Sequence, residues 1–345
     1  MKHSNISIFV PHVGCPHLCA FCDQRTISGE DKAPKPDDVR RICEQAVREI
    51  SSPSDTEIAF FGGSFTAIRR EYMISLLQTA NEYVTRYGFK GIRLSTRPDH
   101  IDNEILSILK KYNVTSVELG AQSLDDEVLT ANERGHSSED VYKASELIKR
   151  FGFELGLQMM VGLYKSTKQR ELETMRKIIE IKPKTVRIYP VVILKGTKLG
   201  SLYLSGEYNT MSFDEAVELC ADMLYEFDSN GISVIKCGLH ASEFVERDMV
   251  GGFYHPAFRE LCEGLVYRKA LNSTLFSTDV ILSHLRDNEK IRVTVCVPSS
   301  AVSKALGHKK ANYEFFKQKG IELKIIGEGG IPKYNCKVRE VSVCT

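Results

Sequence analysis

What most restricts the fold of this chain is a rhythm of strand-like and helix-like runs between residues 6 and 237. Runs rich in apolar and β-branched residues at Ile6–Val10, Glu57–Phe61, Gly91–Ser95, Thr115–Gly120, Phe153–Val161 and Thr185–Ile193 read as strands, with Ile232–Cys237 as one more. Between them, 36–50, 70–87, 102–112, 125–132 with 138–151, 168–181 and 214–229 carry helical spacing. Pro36 followed by Asp37 and Asp38 marks a helix start, and Pro183 follows the end of 168–181. Such alternation builds parallel strands joined by helical crossovers. Six or seven units are too few for a closed eightfold barrel, so the expected class is α/β, a partial (β/α)6 TIM-like barrel. In that architecture the loops after the strands share one face, where ligands bind.

Each chemically unusual stretch follows one of these strands. After the first comes Gly14-Cys15-Pro16-His17-Leu18-Cys19-Ala20-Phe21-Cys22, three cysteines spaced C-x-x-x-C-x-x-C. A short loop of this kind turns three thiolates toward one centre, and thiolates suit iron–sulfur clusters or zinc. No fourth cysteine lies near; Cys43 falls in a helical run. Three thiolates leave one iron of a 4Fe-4S cluster open. Two plainer readings stand beside it: three unrelated loop cysteines, or a zinc site completed by His12 or His17.

The second strand ends in Phe60-Phe61-Gly62-Gly63-Ser64, where two glycines let backbone approach a ligand closely. The third ends in Ser95-Thr96-Arg97-Pro98-Asp99, the fourth in Glu118-Leu119-Gly120-Ala121-Gln122, and Glu133-Arg134-Gly135-His136 follows in the crossover. Gln158-Met159-Met160 closes the fifth, and Arg187-Ile188-Tyr189-Pro190 with Lys195-Gly196-Thr197 the sixth. Singly these are ordinary: Arg97–Asp99 a surface pair, Gln122 a strand-end polar residue, Met159-Met160 core.

The cysteine spacing, with aromatic Phe21 just before the third cysteine, resembles the radical S-adenosylmethionine (SAM) enzymes. The ordered set from about Phe9 to about Tyr208 resembles the radical domain of the elongator catalytic subunit family and its bacterial relatives without an acetyltransferase domain. That resemblance implies a 4Fe-4S cluster on Cys15, Cys19 and Cys22 whose open iron binds the amino and carboxylate groups of SAM. It implies reductive cleavage of SAM to methionine and a 5′-deoxyadenosyl radical that abstracts hydrogen from a substrate. It places Phe21 against adenine, Gly62, Gly63 and Ser64 at the methionine amino group, and Ser95 and Gln158 near the ribose. Gln122 falls near the methionine moiety and Arg134 near its carboxylate. An electron donor such as a flavodoxin or ferredoxin is implied, and RNA, especially tRNA, as substrate. The other expectations are a small molecule such as a porphyrin precursor within the same class, or a zinc-stabilised, non-catalytic RNA-binding module. The chain departs from the family pattern in three places. Ser64 replaces a glutamate, coproporphyrinogen-type enzymes carry an acid where Ser95 and Gln158 stand, and Tyr164 stands where relatives often have proline.

The 345 residues are enough for one large domain and an appendage. Expected segments are a barrel over 1–245, a helical connector over 246–285 and a small basic α/β domain over 286–345. In the last, 291–297, 299–306, 311–319 and 321–326 read as a βααβ unit around Gly307-His308-Lys309-Lys310. This looks like the KH core, in which a Gly-x-x-Gly loop clamps nucleic-acid backbone; here Lys310 replaces the last glycine, and Lys309 and Lys310 are the candidate phosphate contacts. Residues 301–345 carry nine Lys/Arg against four Glu in a chain of net charge +1. The first 300 residues are therefore mildly acidic, about −4. Ten unevenly spaced cysteines and the want of a long apolar run suggest a reducing cytoplasmic setting and no membrane span.

Overall fold

The computed structural model describes residues 4–11, 15, 19–23, 26, 32–286 and 289–344. It divides into two compact units, 1–211 with 231–254, and 212–230 with 255–345.

The first unit is a curled parallel sheet flanked by helices. Its strands are β1 (Ser4–Val10), β2 (Thr56–Gly62), β3 (Gly91–Thr96), β4 (Val114–Gln122), β5 (Glu154–Val161) and β6 (Thr185–Pro190). After a short β7 (Val192–Leu194) comes β8 (Ser233–Cys237), and the sheet order is β1-β2-β3-β4-β5-β6-β8. Every neighbouring pair is parallel. β1 and β8 are edges, so the half-barrel stays open, and β8 is the further strand expected at Ile232–Cys237. The central strands bury apolar side chains on both faces, among them Ile58, Phe60, Leu94, Val117, Leu119 and Leu157.

The helices form where capping and periodicity agree. Asp102 caps helix Asn103–Lys111 through the Ile105 N–H at 2.7 Å, and Ile105, Leu106 and Leu109 face inward. Ser137 and Asp140 form a reciprocal capping box for Ser138–Arg150. The 185–193 run, expected as one strand, is broken. β6 stops at Pro190, which has no N–H to give a ladder. β7 then pairs antiparallel with β9 (Met249–Gly252) in a separate two-stranded sheet.

In the second unit helix Phe213–Ser229 packs against helix Phe258–Phe276. Beside them a three-stranded sheet has the order β11-β10-β12: β10 (Ile291–Pro298), β11 (Ile321–Glu328), parallel to it, and β12 (Lys337–Val343), antiparallel. The expected βααβ order is present, with short helices Val302–Leu306 and Ala311–Lys317, and β12 is added to it. Leu271 and Leu275, from the segment expected as connector, join Val293, Val295, Phe316 and Leu323 in one core. The observed division therefore cuts differently from 1–245, 246–285 and 286–345. Among the described residues no helix is long and apolar enough to cross a membrane.

Candidate active site

Residues of β2 to β5 and of the segments that follow β1 to β4 meet in a cleft of about 110 Å³ lined by Cys15, Cys19 and Cys22, with Gly62, Gln122 and Arg134 among its other walls. It borders a larger cavity of about 520 Å³, which Phe21, Gly62, Ser95, Gln122 and Gln158 also line. Phe9, Phe61, Met160, Arg187 and Tyr189 also line that cavity. The structure thus brings together the three cysteines, both glycines, Phe21, Ser95, Gln122, Arg134 and Gln158. Lys309 and Lys310 belong to the second unit. His12 and His17, either of which would complete the alternative zinc site, lie outside the described residues.

Backbone bonds hold the described part of the cysteine loop. Ala20 N–H donates to Asn132 O at 3.1 Å, Leu199 N–H to Ala20 O at 2.7 Å, and Cys22 N–H to Cys19 O at 3.0 Å. Asn132 is in turn fixed by its side-chain amide on Val128 O and Tyr164 O. Gly62 cannot be replaced locally, because at φ +110° a Cβ would lie 2.8 Å from Val10 O. Ser64 is fully buried, and its hydroxyl bonds Thr96 Oγ1 at 2.9 Å rather than facing the cleft. Its backbone N–H is directed at the Cys15 thiol.

The electrostatics fit a metal cluster. Burial, then the neighbouring Cys19 and Cys15, push the Cys22 thiol up to about 12. Burial and Cys19 also raise Cys15, against the opposing pull of Arg97, Arg134 and the Ser64 N–H. Three thiolates here repel one another, and the positive charge of iron relieves that repulsion. Arg134 donates from Nη1 to Cys19 Sγ at 2.9 Å and from Nη2 to Gly120 O at 2.6 Å, with its guanidinium 5.9 Å from the Phe21 ring centroid. Its Nε is buried without a partner. Gln122 holds a left-handed φ of +65°, and its Oε1 is likewise buried and unpartnered. Strain and orphaned polar atoms gathered at one cleft mark a place shaped for a polar ligand.

The expected Arg97–Asp99 surface pair is instead a bidentate pair at the cleft wall, at 2.9 and 2.7 Å, with Arg97 buried. Burial pushes Asp99 up, but Arg97 outweighs it and holds the carboxyl below its usual range. His136, beside the cleft, is driven down to about 4 by burial and then by Arg134 and Arg97, so its imidazole is neutral. The sequence reading gave no role to Glu118, Arg93 and Glu57. Arg93 spans the other two, at 2.7 Å to Glu57 and 3.0 Å to Glu118, and all three are buried. Charged residues inside otherwise apolar strands were the available signal.

Comparison with known proteins follows this geometry. Residues 9–178 match the profile of the Radical SAM superfamily, and residues 183–267 that of the Radical_SAM C-terminal domain. The chain is 33% identical over 197 residues to a tRNA uridine(34) acetyltransferase of Methanocaldococcus jannaschii, covering 51% of this chain and 36% of that protein. It is 28% identical over 205 residues to human Elongator complex protein 3, covering 54% and 38%. The chain therefore spans under two fifths of the length of these relatives. The solved archaeal Methanocaldococcus infernus Elp3 with an N-terminal deletion superposes with a TM-score of 0.54 at 22% identity, covering 71% of this chain and 61% of that one, which shows a shared fold.

Proposed function

We propose, from the premise that the chain belongs to the radical S-adenosylmethionine superfamily, that it is an enzyme using a 4Fe-4S cluster and SAM to start a radical reaction on RNA. The observation that carries this reading is the convergence of Cys15, Cys19 and Cys22 in one cleft with the unpartnered Gln122 Oε1. When bound, the cluster and SAM supply one-electron cleavage of the sulfonium to methionine and a 5′-deoxyadenosyl radical that takes hydrogen from the substrate. The chain's residues bind and orient. Cys15, Cys19 and Cys22 hold the cluster. Gly62, Gly63 and Ser64 offer backbone to the methionine amino group, Gln122 Oε1 accepts a hydrogen bond from that moiety, and Arg134 stands over Cys19 beside its carboxylate. Ser95 and Gln158 take the ribose, and Phe21 packs on the adenine. The apolar walls of the larger cavity exclude water from the reacting centre. A one-electron donor protein such as a flavodoxin or ferredoxin completes the system.

The RNA assignment draws on the relatives whose names specify tRNA uridine and on the second unit's surface. Lys309 and Lys310 are exposed and left-handed, at φ +51° and +61°. Asn312 pins their turn, its amide on Ala305 O and Gly264 O. On the same helix Phe315 lies between Arg268 at 4.9 Å and Lys319 at 4.8 Å. Among the described residues Lys309, Lys310, Lys317 and Lys319 have no carboxylate partner, which leaves them for phosphates. The test is anaerobic reconstitution followed by incubation with SAM and a chemical reductant, with and without cellular tRNA. Release of 5′-deoxyadenosine that tRNA stimulates is the expected result. Stimulation by a small-molecule extract alone would move the substrate out of RNA, and no release would end the enzyme reading.

A further inference from the structure

Part of the larger cavity is not shared with the cysteine cleft. Phe9, Phe61, Met160, Arg187, Tyr189 and Lys236 line it there, on strands β1, β2, β5, β6 and β8. These side chains come as register partners: Phe9 with Phe61, Met160 with Tyr189, and Arg187 with Lys236. Register partners on neighbouring strands point to the same face of a sheet, and here that face is the cavity. Two of the pairs are apolar or aromatic, with the Phe9 and Phe61 ring centroids 6.4 Å apart. The third sets two cations side by side, an arrangement that is unfavourable by itself. Among the described residues that line the cavity, none is acidic.

The carboxylates behind this wall are matched by other cations. Glu118 accepts from Arg187 Nε at 2.7 Å, Arg187 Nη2 at 3.0 Å and Arg93 Nη1 at 3.0 Å. Glu57 and Glu154 face Arg93 and Lys90. The charges of Glu57, Glu118 and Glu154 thus cancel those of Lys90, Arg93 and Arg187 before Lys236 is counted. The Arg187 guanidinium is held further by the Phe61 ring, 4.9 Å from its centroid. Lys236 is half-buried, and an ammonium has three N–H donors, enough to serve an anion in the cavity beside any bond within the chain. A volume of about 520 Å³ with aromatic walls and few charged groups suits a small organic ligand and is far too narrow for a nucleic-acid duplex.

We propose that this part of the cavity binds an organic anion, whose apolar or planar body lies against Phe9, Phe61, Met160 and Tyr189 and whose carboxylate or phosphate is held by Lys236. The binding claim stands on this geometry; calling the anion a substrate rests on the reading of the bordering cleft as the SAM site. Two sources share the chemistry: the phosphate of a nucleotide turned out of RNA, and the carboxylate of a free small acid.

The experiment measures equilibrium binding to the reconstituted full chain, without reductant, of two matched pairs: uridine 5′-monophosphate against uridine, and phenylacetate against phenylacetamide. In at least one pair the anion is expected to bind about tenfold or more tighter than its neutral partner, the range of a hydrogen bond to a charged group. The pair that shows the preference identifies the source. Lys236→Met should bring the ratio close to one, and Lys236→Arg, which keeps the charge, should retain it. A second measurement needs no variant: the preferred anion should shield Lys236 of the parent from reductive methylation, read by peptide mass spectrometry, and its neutral partner should not. No preference in either pair, a folded Lys236→Met with the parent ratio, or a Lys236 left unshielded at saturating anion would overturn the proposal. Release of 5′-deoxyadenosine is measured on the same preparation after reductant is added. Release without anion preference defeats this inference alone; anion preference without release defeats the radical reading alone.

Discussion

Gln122 carries two costs that an ordinary strand-end residue would not. It is a non-glycine residue at φ +65°, and its buried Oε1 has no partner. A left-handed non-glycine backbone costs about 1 kcal/mol or more, and an unpaired buried acceptor about 1–3 kcal/mol. Gln122→Gly removes both, against a loss of about 0.5–1 kcal/mol in chain entropy. Thermal unfolding should show stability equal to or above the parent's, while SAM affinity, measured anaerobically on reconstituted protein, falls about tenfold. A variant with unchanged affinity would take Gln122 out of the site. The residues legible in the sequence were those whose signal is local: cysteines at fixed spacing, glycines at a strand end, polar groups where a strand stops. Glu118, Arg93 and Glu57 were not legible as a unit, because the pairing that makes a buried charge tolerable joins positions 36 and 25 residues apart. Arg97 and Asp99 are neighbours in sequence, yet their burial depends on the fold around them.

At the scale of elements, the turn after β5 is held by one carboxylate. Glu171, on helix Lys168–Ile181, accepts from Gly162 N–H at 2.5 Å, and the Tyr208 hydroxyl donates to Gly162 O. Burial pushes Glu171 up to about 7 from 4.5, against the Gly162 N–H and the Ser166 hydroxyl. The folded state therefore holds this proton where the unfolded chain has released it. The stability this provides is full below pH 4.5 and is lost as pH rises toward and past 7, of order 3 kcal/mol for the group. Glu171→Gln stays neutral throughout, so urea unfolding at pH 5 and pH 8 should show a smaller difference in midpoint than the parent. An equal difference would mean that Glu171 is ionised in the folded state. Strand and helix positions were the most legible layer, since two-residue and 3.6-residue periods are local. The break at Pro190 was signalled by the proline itself. β12 was not, because its pattern is largely exposed and its strand identity comes from pairing with β10.

At the scale of the whole molecule, the cysteine cleft belongs to the unit that holds the open seven-stranded half-barrel, and the Lys309–Lys310 turn to the other compact unit. Exchanging both Lys309 and Lys310 for glutamate touches no core position, since both are exposed. That variant should bind tRNA more weakly with a shallower salt dependence, because fewer counterions are released. Its uncoupled SAM cleavage should match the parent's. Equal tRNA affinity across a salt series would make the turn a structural cap. The central claim is that Cys15, Cys19 and Cys22, and no other cysteines, hold the cluster. It is tested most directly by iron and sulfide content with visible absorption after anaerobic reconstitution, in the parent and in single Cys→Ala variants at 15, 19, 22, 43 and 237. Cys43 and Cys237 are buried, lie outside the cleft lining and serve as controls. The predicted result is about four irons per chain with the broad iron–sulfur band in the parent and both controls, and loss of the band in each of the other three. A Cys15→Ala protein that keeps the band, or a colourless parent carrying stoichiometric zinc, would contradict the account.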